Sequence, residues 1–470
     1  MRTLFFLPFV SALFALLFVS SKRWAFVLSM LPLVLFALCG TSWIGQSVDT
    51  IWLQNLSIHF HIAVDSLSFI FLWLVYAIVP IAVLASNPTE KHKAFYSLLL
   101  LVQGLAAGFF MAQDLVFFTF FFEAMLIPLY FLIMGWGGKK RAAAAVKFIV
   151  YMVAGSTLMI MALLSLYFSA GSFDLVAISK KSAHLSTAPI LTAIFLLAFL
   201  VKTPIFGLHA WLADAYCEAE TAGSILLSAV LSKAGIYGII RICMGLFPAV
   251  TAEWSPVLVL IAIIGVLYGA LAAWGQTDFK RLIAYSSLSH INFVLAGLFV
   301  WNYTAQSGAI LQAVNHSITI SGLFLVAAWL SERVGTTQFD ALSGLAAYLP
   351  RLCWLTLFFV LSSIALPGLN NFVSELMLLL GVFSDSPWYA LLLGSTVILS
   401  VLYMLKFQQN LYFEVACKKQ ESFTDIGSRE LMAAMPLVLV VVWLGIYPKP
   451  ALEVIEPAAQ SIVKEGIVSR

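Results

Sequence analysis

Stretches of about 20 apolar residues recur along the whole of this sequence, and few folds are open to a chain built that way. In hydrocarbon every backbone N–H and C=O must be satisfied within the protein, which leaves helices or closed barrels. The runs here are continuous rather than alternating, so they read as helices. With 62% hydrophobic and 10% charged residues, the chain is a polytopic membrane protein and no soluble enzyme. About 14 spans are expected, near 4–20, 24–44, 66–86, 94–112, 115–134, 146–169, 188–210, 222–248, 255–274, 279–300, 305–331, 352–383, 387–408 and 431–448. Leu4–Ser20 has its basic flank, Lys22-Arg23, on the wrong side for a signal peptide and is read as the first span. Gly45–Asp65 reads as a polar loop whose His59 and His61 are interfacial rather than metal ligands.

Two of these spans carry a lysine where only apolar residues belong. Lys202 stands directly before Thr203-Pro204, where the proline removes a backbone donor and should end the helix beside the charge. Lys233 lies midway along the next span. A lysine at a helix centre costs roughly 2.5–3.5 kcal/mol on an insertion scale. Snorkelling to an interface is the bland alternative, and the longer flanks of Lys233 make it weaker there. Four further ionisable groups sit inside spans: Glu123, Glu375, His290 and His316. The two glutamates and two lysines together would cost roughly 10–14 kcal/mol if isolated and additive, so pairing or hydration is expected. Singly, each histidine could be a helix–helix hydrogen-bonding residue and Glu123 a packing ion pair. As a series of acid, base, base, histidine, histidine and acid, the six read as a proton relay. Burial disfavours charge on a lysine and a nearby carboxylate favours it, so Lys202 and Lys233 could switch with a neighbour.

Ser362–Leu380 contains Pro367-Gly368 and Asn370-Asn371 inside an apolar run, five spans after the break at Pro204. Two interrupted segments in corresponding positions point to inverted five-helix repeats with discontinuous helices seven and twelve. The organisation expected is one membrane domain over 1–470: N-terminal helices over about 1–93, a first repeat over 94–248, a second over 255–408 and a last helix over 431–448. Lys and Arg concentrate in the loops after spans 1, 3, 5, 9, 11 and 13, including Lys418 and Lys419, so those loops should be cytoplasmic and both termini periplasmic. The acidic Asp214–Glu220 turn falls on the same side, and acidic residues weigh little in that rule. Cys39, Cys217, Cys243, Cys353 and Cys417 show no ligand spacing and no disulfide framework. The six ionisable residues come from separate spans without ligand spacing, so no metal site follows. Neither a cofactor motif nor a nucleophile–base pairing is visible, and nucleic acid is not an expected partner.

The segments FFFEAMLIPLYFLIMGWGG, KTPIFGLHAWLADA, TAGSILLSAVLSKAGIYGIIR, FKRLIAYSSLSHINFVLAG and NNFVSELMLL resemble the antiporter-like membrane subunits of respiratory complex I, the NADH:quinone oxidoreductase. The resemblance runs from about Ala63 to Tyr447 and is nearest the M type. An L-type paralogue would carry a long lateral helix after its core, whereas Arg470 follows soon after the last span. A glutamate in span twelve also looks like the M type. By position, the resemblance implies that Glu123 is the span-five glutamate and Lys202 its partner beside the broken helix. It makes Lys233 the central lysine, His290 and His316 the bridging histidines, and Glu375 the terminal acid. Departures are LHAWLADAY, CEAETAGS with its Glu218 and Glu220, and Phe122 where the family commonly has tryptophan. These departures sit in the acidic turn and around the Glu123–Lys202 pair, not on the relay.

The function the resemblance implies is a proton-translocating subunit in the inner membrane of a bacterium, driven by redox chemistry in other subunits and holding no cofactor. Its implied partners are neighbouring membrane-arm subunits, the lipid bilayer and protons. An Mrp-type cation/proton antiporter subunit or the membrane arm of a hydrogenase-like complex would use the same relay. An inactive paralogue that only scaffolds its neighbours is a third reading, and the presence of all six ionisable residues argues against it.

Overall fold

The computed structural model describes the chain except residues 55–57, 89, 183–184, 340–342, 415–422 and 469–470, and the side chains of 465–468. Cys417, Lys418, Lys419 and Arg470 therefore lie outside the described residues. In chain order the elements are α1 (Arg2–Phe18), α2 (Lys22–Cys39), strands β1 (Gln46–Leu53) and β2 (Ile58–Val64), α3 (Ser66–Ala85), α4 (His92–Met111), α5 (Leu115–Ala124), α6 (Leu126–Trp136) and α7 (Arg141–Ala170). There follow α8 (Leu175–Ser182), α9 (Ala188–Lys202), α10 (Leu212–Glu218), α11 (Thr221–Leu226), α12 (Ser232–Gly238), α13 (Pro248–Glu253), α14 (Ser255–Trp274), α15 (Phe279–Phe299) and α16 (Tyr303–Val334). The chain closes with α17 (Pro350–Ser363), α18 (Asn370–Asp385), α19 (Pro387–Tyr412), α20 (Ser428–Ile446) and α21 (Lys449–Val468). Among the described residues, 11 helices are long and apolar enough to cross a membrane, some of them counted across a kink. Arg2–Phe18, Ala188–Lys202 and Pro350–Ser363 are shorter apolar helices. Every expected span overlaps one of these helices, and the fold is that of an all-α polytopic membrane protein.

Contacts divide the chain into two units. The first comprises Met1–Pro204, Glu218–Pro256 and Glu453–Arg470, and the second Ile205–Cys217 and Val257–Leu452.

In the first unit, the ends of helices follow from caps and prolines. Asp65 and Ser68 form a reciprocal capping box at the start of α3, and Asp114 caps α5 through the N–H groups of Val116 and Phe117. Span five is not one helix: it stops at Ala124 and resumes at Leu126. Pro128 supplies the reason, since its ring meets the carbonyl four residues back, that of Ala124. Span seven ends at Lys202, with Thr203 extended, as Pro204 requires. Span eight is continuous but changes pitch twice, with π turns over Leu227–Leu231 and Ile239–Met244 flanking α12.

Where a polar loop is expected over Gly45–Asp65, the described residues form two antiparallel strands, with Gln46 opposite Val64 and Ile51 opposite His59. Ile58, Ile62 and Val64 are buried on one face, and this alternation is what polar residues at the intervening positions disguised. His59 Nδ1 lies 2.8 Å from Asp49 and His61 Nδ1 lies 2.7 Å from Asp174.

In the second unit, span twelve breaks between Ser363 and Asn370, where Ala365 (φ 56°) and Gly368 (φ 93°) turn through the left-handed region. Asn370-Asn371 open α18 rather than interrupt it. The 32-residue α16, capped by Asn302 and ended at Gly335 (φ 73°), packs against α15, α17, α18 and α20. The last expected span is α20, but a further amphipathic helix, α21, follows it.

Candidate functional site

Five of the six ionisable residues are gathered into two clusters, one in each unit, and Lys233 stands by itself in the first. Glu123 occupies the last turn of α5, where the kink before Pro128 interrupts the helix. Lys202 is the last residue of α9. Lys202 Nζ lies 2.6 Å from Glu123 Oε1, with the lysine fully buried and the glutamate side chain 22% exposed. The ammonium also sits over the Phe122 ring, 3.7 Å from its centroid, a favourable place for a desolvated cation. Ser156 Oγ of α7 lies within hydrogen-bond reach of both Glu123 Oε2 and the Met152 carbonyl, and its single proton serves one of them at a time. Sequence reasoning missed Ser156, because a lone serine in an apolar span carries no signature of its target.

Lys233 is fully buried in α12, between the two π turns. Its Nζ donates to the Ser228 carbonyl at 2.8 Å, an oxygen that Ser232 Oγ also reaches at 2.7 Å. A π turn shifts the backbone ladder and leaves such carbonyls open to side chains, and π bulges concentrate at functional sites. Among the described residues no carboxylate is paired with Lys233. Thr203 Oγ1 donates to the Ser232 carbonyl at 3.4 Å, so the residue after Lys202 touches the residue before Lys233. Gly235 permits that approach: a Cβ there would stand 3.0 Å from Thr203 N.

In the second unit, His290 Nδ1 is 3.3 Å from Glu375 Oε1, which also accepts from Gln312 Nε2 at 2.9 Å. The His290 and His316 rings stack with centroids 5.1 Å apart, and His316 Nε2 lies 3.0 Å from Ser287 Oγ. Ser374 donates to Gln312 Oε1 and accepts from Asn315 Nδ2 at 3.0 Å. Asn370 joins Asn315, Thr319 and Ser362 across the break. His290 Nε2 and both amide atoms of Asn371 are buried without a protein partner among the described residues. Buried polar atoms of this kind are normally satisfied by ordered water. The structure thus brings His290, His316 and Glu375 together, and adds Gln312, Ser287 and Ser374.

The acidic turn has its own account. Asp214 pairs with Arg281 at 2.6 Å, Glu218 Oε2 accepts from Lys140 N, and Glu220 caps α11 through Ala222 N. Each acid is engaged locally, Asp214 by the Arg281 side chain and Glu218 by the backbone of Lys140.

A polytopic helical membrane protein that keeps paired carboxylates, lysines and histidines inside its spans is a member of the ion-translocating class in form. The chain belongs to the NADH:quinone oxidoreductase/Mrp antiporter transmembrane family, whose model matches residues 112–402. NADH-quinone oxidoreductase subunit M of Pseudomonas aeruginosa is 36% identical over 418 residues, 86% of this chain and 82% of the relative. Subunit M of Escherichia coli K12 is 35% identical over 429 residues, 88% and 84% of the two chains. A chain of respiratory complex I from Thermus thermophilus with bound NADH superposes with a TM-score of 0.92 at 29% identity, covering 99% of both. A chain of the Mrp complex from Dietzia sp. DQ12-45-1b shares the fold, with a TM-score of 0.86 at 22% identity over 99% of this chain and 98% of that one.

Proposed function

We propose that this chain is a proton-translocating membrane subunit of a bacterial NADH:quinone oxidoreductase, with Glu123, Lys202, Lys233, His290, His316 and Glu375 as its relay. It holds no redox centre in this reading and works on energy released in other subunits, beside neighbouring antiporter-like subunits in the inner membrane. Both termini are periplasmic. The observation that carries the reading is the Glu123–Lys202 pair at two helix ends, a charge pair that a merely structural bundle would replace with apolar residues at no loss of stability. The family membership and the identity to subunit M over most of both chains support it too.

The residues act in distinct ways. While Glu123 is ionised, Lys202 is held over Phe122 and keeps its proton. Protonation of Glu123 removes that counter-charge and frees Lys202 to hand its proton on. The contact of Thr203 with Ser232 is where a shift at Lys202 would be felt beside Lys233. Lys233 has three ammonium donors and, among the described residues, the Ser228 carbonyl as acceptor, so it stands in the path without a paired counter-charge. In the second unit the stacked histidines pass a proton, and Glu375 is the group that accepts it. The discontinuous helices and the opposed five-helix repeats are the frame of this reading.

The test is proton uptake by vesicles carrying the assembled complex, with NADH as the driving substrate. Uptake that follows NADH oxidation, persists in sodium-free buffer and is lost with Lys233→Ala is the expected result. Lys233→Ala that assembles and pumps normally overturns it. Transport that requires sodium favours the antiporter reading.

A further inference from the structure

One polar construction in the first unit lies outside this relay. Lys233 and Tyr237 are one turn apart in α12, on the same face, and Arg241 follows after a further turn. Arg241 Nε donates to Tyr237 Oη at 2.9 Å, and its guanidinium stacks on the Tyr237 ring with 5.2 Å to the centroid. Another guanidinium nitrogen pairs with Asp65 Oδ2. The other oxygen of Asp65 caps α3 by accepting from Ser68 N at 2.9 Å, so the carboxylate is fixed from both sides. Burial pushes the Asp65 carboxyl up, but the Arg241 charge and hydrogen bond, with those from Ser68, more than offset this and hold it below its usual range. The pair is therefore ionised at neutral pH.

A cavity of about 340 Å³ opens onto this pair, lined also by Gln113, Ser179, Ser461 and Ile462. Its lining is mixed, with Leu67, Leu175, Val176 and Ile240 beside these groups, and the polar side chains and the volume leave room for water. Asp65 and Arg241 keep 40% and 19% of their side chains exposed, whereas Tyr237 and Lys233 have none. Beyond Arg241 the surroundings are aromatic: Phe71, Phe109, Phe110 and Phe118 pack around Tyr237.

The hydrogen-bond directions close this route to protons. A hydroxyl relays a proton only if it can accept on one side and donate onward on the other. Tyr237 Oη accepts from Arg241 and donates at 2.8 Å to the Phe110 carbonyl, an acceptor with no proton to hand on. The guanidinium cannot deprotonate at any working pH, and its fixed charge repels a hydrated proton.

We infer that Arg241, clamped by Asp65 and stacked on Tyr237, is a proton-tight seal that isolates Lys233 from the cavity bearing the Asp65 carboxylate. Lys233 then exchanges protons only along the proposed relay. The inference rests on the proposed role of Lys233 and adds the element that stops back-flow to it. Arg241 is in this sense a positioning and insulating residue, because it neither takes up nor releases the transported proton.

The test is passive proton permeability of vesicles containing the assembled complex, measured without NADH under an imposed membrane potential, alongside protons taken up per NADH during turnover. Arg241→Gln is expected to raise passive permeability about tenfold or more, since one unit charge is lost from a low-dielectric passage, and to lower uptake per NADH. Asp65→Asn keeps a good helix cap while freeing the guanidinium, and a smaller leak is expected from it. Adding Lys233→Ala to Arg241→Gln should return permeability to the parent value, because the leak runs through Lys233. An assembled Arg241→Gln complex that does not leak overturns the seal. So does a leak that persists without Lys233, which marks packing damage. Failure of the underlying function reads out separately, as normal pumping by Lys233→Ala alone.

Discussion

Glu123 and Lys202 meet at 2.6 Å because each stands at a helix end that a proline creates, Pro128 on one chain segment and Pro204 on the other. Helix ends free backbone carbonyls and room for water, so a charge pair can sit there at less cost than in mid-helix. The pair is thus placed by backbone chemistry as well as by mutual attraction.

Removing one partner should be worse than removing both. Glu123→Gln leaves Lys202 fully buried beside a neutral amide, at a cost of about 3 kcal/mol. Pumping should be nearly abolished, whereas Glu123→Asp, which keeps the charge, should retain part of it. Glu123→Gln combined with Lys202→Met should recover stability without recovering pumping. A double-mutant cycle on the assembled complex, scored for thermal dissociation and for proton uptake, checks this. Additive changes in both assays would show that the residues do not interact.

The chemistry at Lys233 can be separated from its charge. Lys233→Ala should leave the complex assembled and reduce proton uptake severely, with NADH oxidation falling too because the steps are linked. Lys233→Arg keeps the charge but cannot release it, so it should fail as a pump as well. Uptake per NADH in vesicles is the measurement, and a normal value for Lys233→Arg would mean that the residue does not titrate in the cycle.

The sequence made legible what depends on composition and on proline. Apolar run lengths located the helices, Pro204 located the end of α9, and the isolation of Glu123 and Lys202 implied that they meet. The kink at Met125 follows from Pro128 too, but a uniformly apolar run around it conceals the break. The π turns around Lys233 have no such mark, since shifting a backbone ladder by one residue changes no side chain. The α21 helix was hidden by its low hydrophobicity, although Ala451, Ile455, Ala459 and Ile462 recur at helical spacing and are buried. Ser156 and Gln312 were illegible for another reason: their partners lie on other helices, at separations that only packing sets.

Topology gives a direct check on the orientation. The loops expected to be cytoplasmic carry Lys139, Lys140, Arg141, Lys280 and Arg281, and the opposite side is poor in such residues. A reporter fused after Arg470 should behave as periplasmic, and one inserted in the loop after span five as cytoplasmic. The reverse pattern would invert every loop and place the cavity beside Arg241 on the cytoplasmic face.

Glu375 offers the sharpest test in the second unit, because one oxygen serves two partners. Its Oε1 accepts from Gln312 Nε2 at 2.9 Å and lies 3.3 Å from His290 Nδ1. Gln312 is held in turn by Ser374, so its amide is fixed to present the N–H to the carboxylate. Withdrawing a fixed donor from a buried acceptor costs about 1–3 kcal/mol. Glu375→Gln should therefore assemble and not pump, since an amide cannot take up a proton. Gln312→Leu keeps the acid but removes its fixed donor, and should lower proton uptake per NADH several-fold with assembly intact. Gln312→Glu sets two carboxyl groups against each other, so they should share one proton and pumping should become more sensitive to pH than in the parent. Infrared difference spectra of the protonated carboxyl band, recorded with uptake measurements, distinguish these cases. If Gln312→Leu changes neither the band nor the uptake, the hydrogen bond serves packing alone and Glu375 is set by His290 instead.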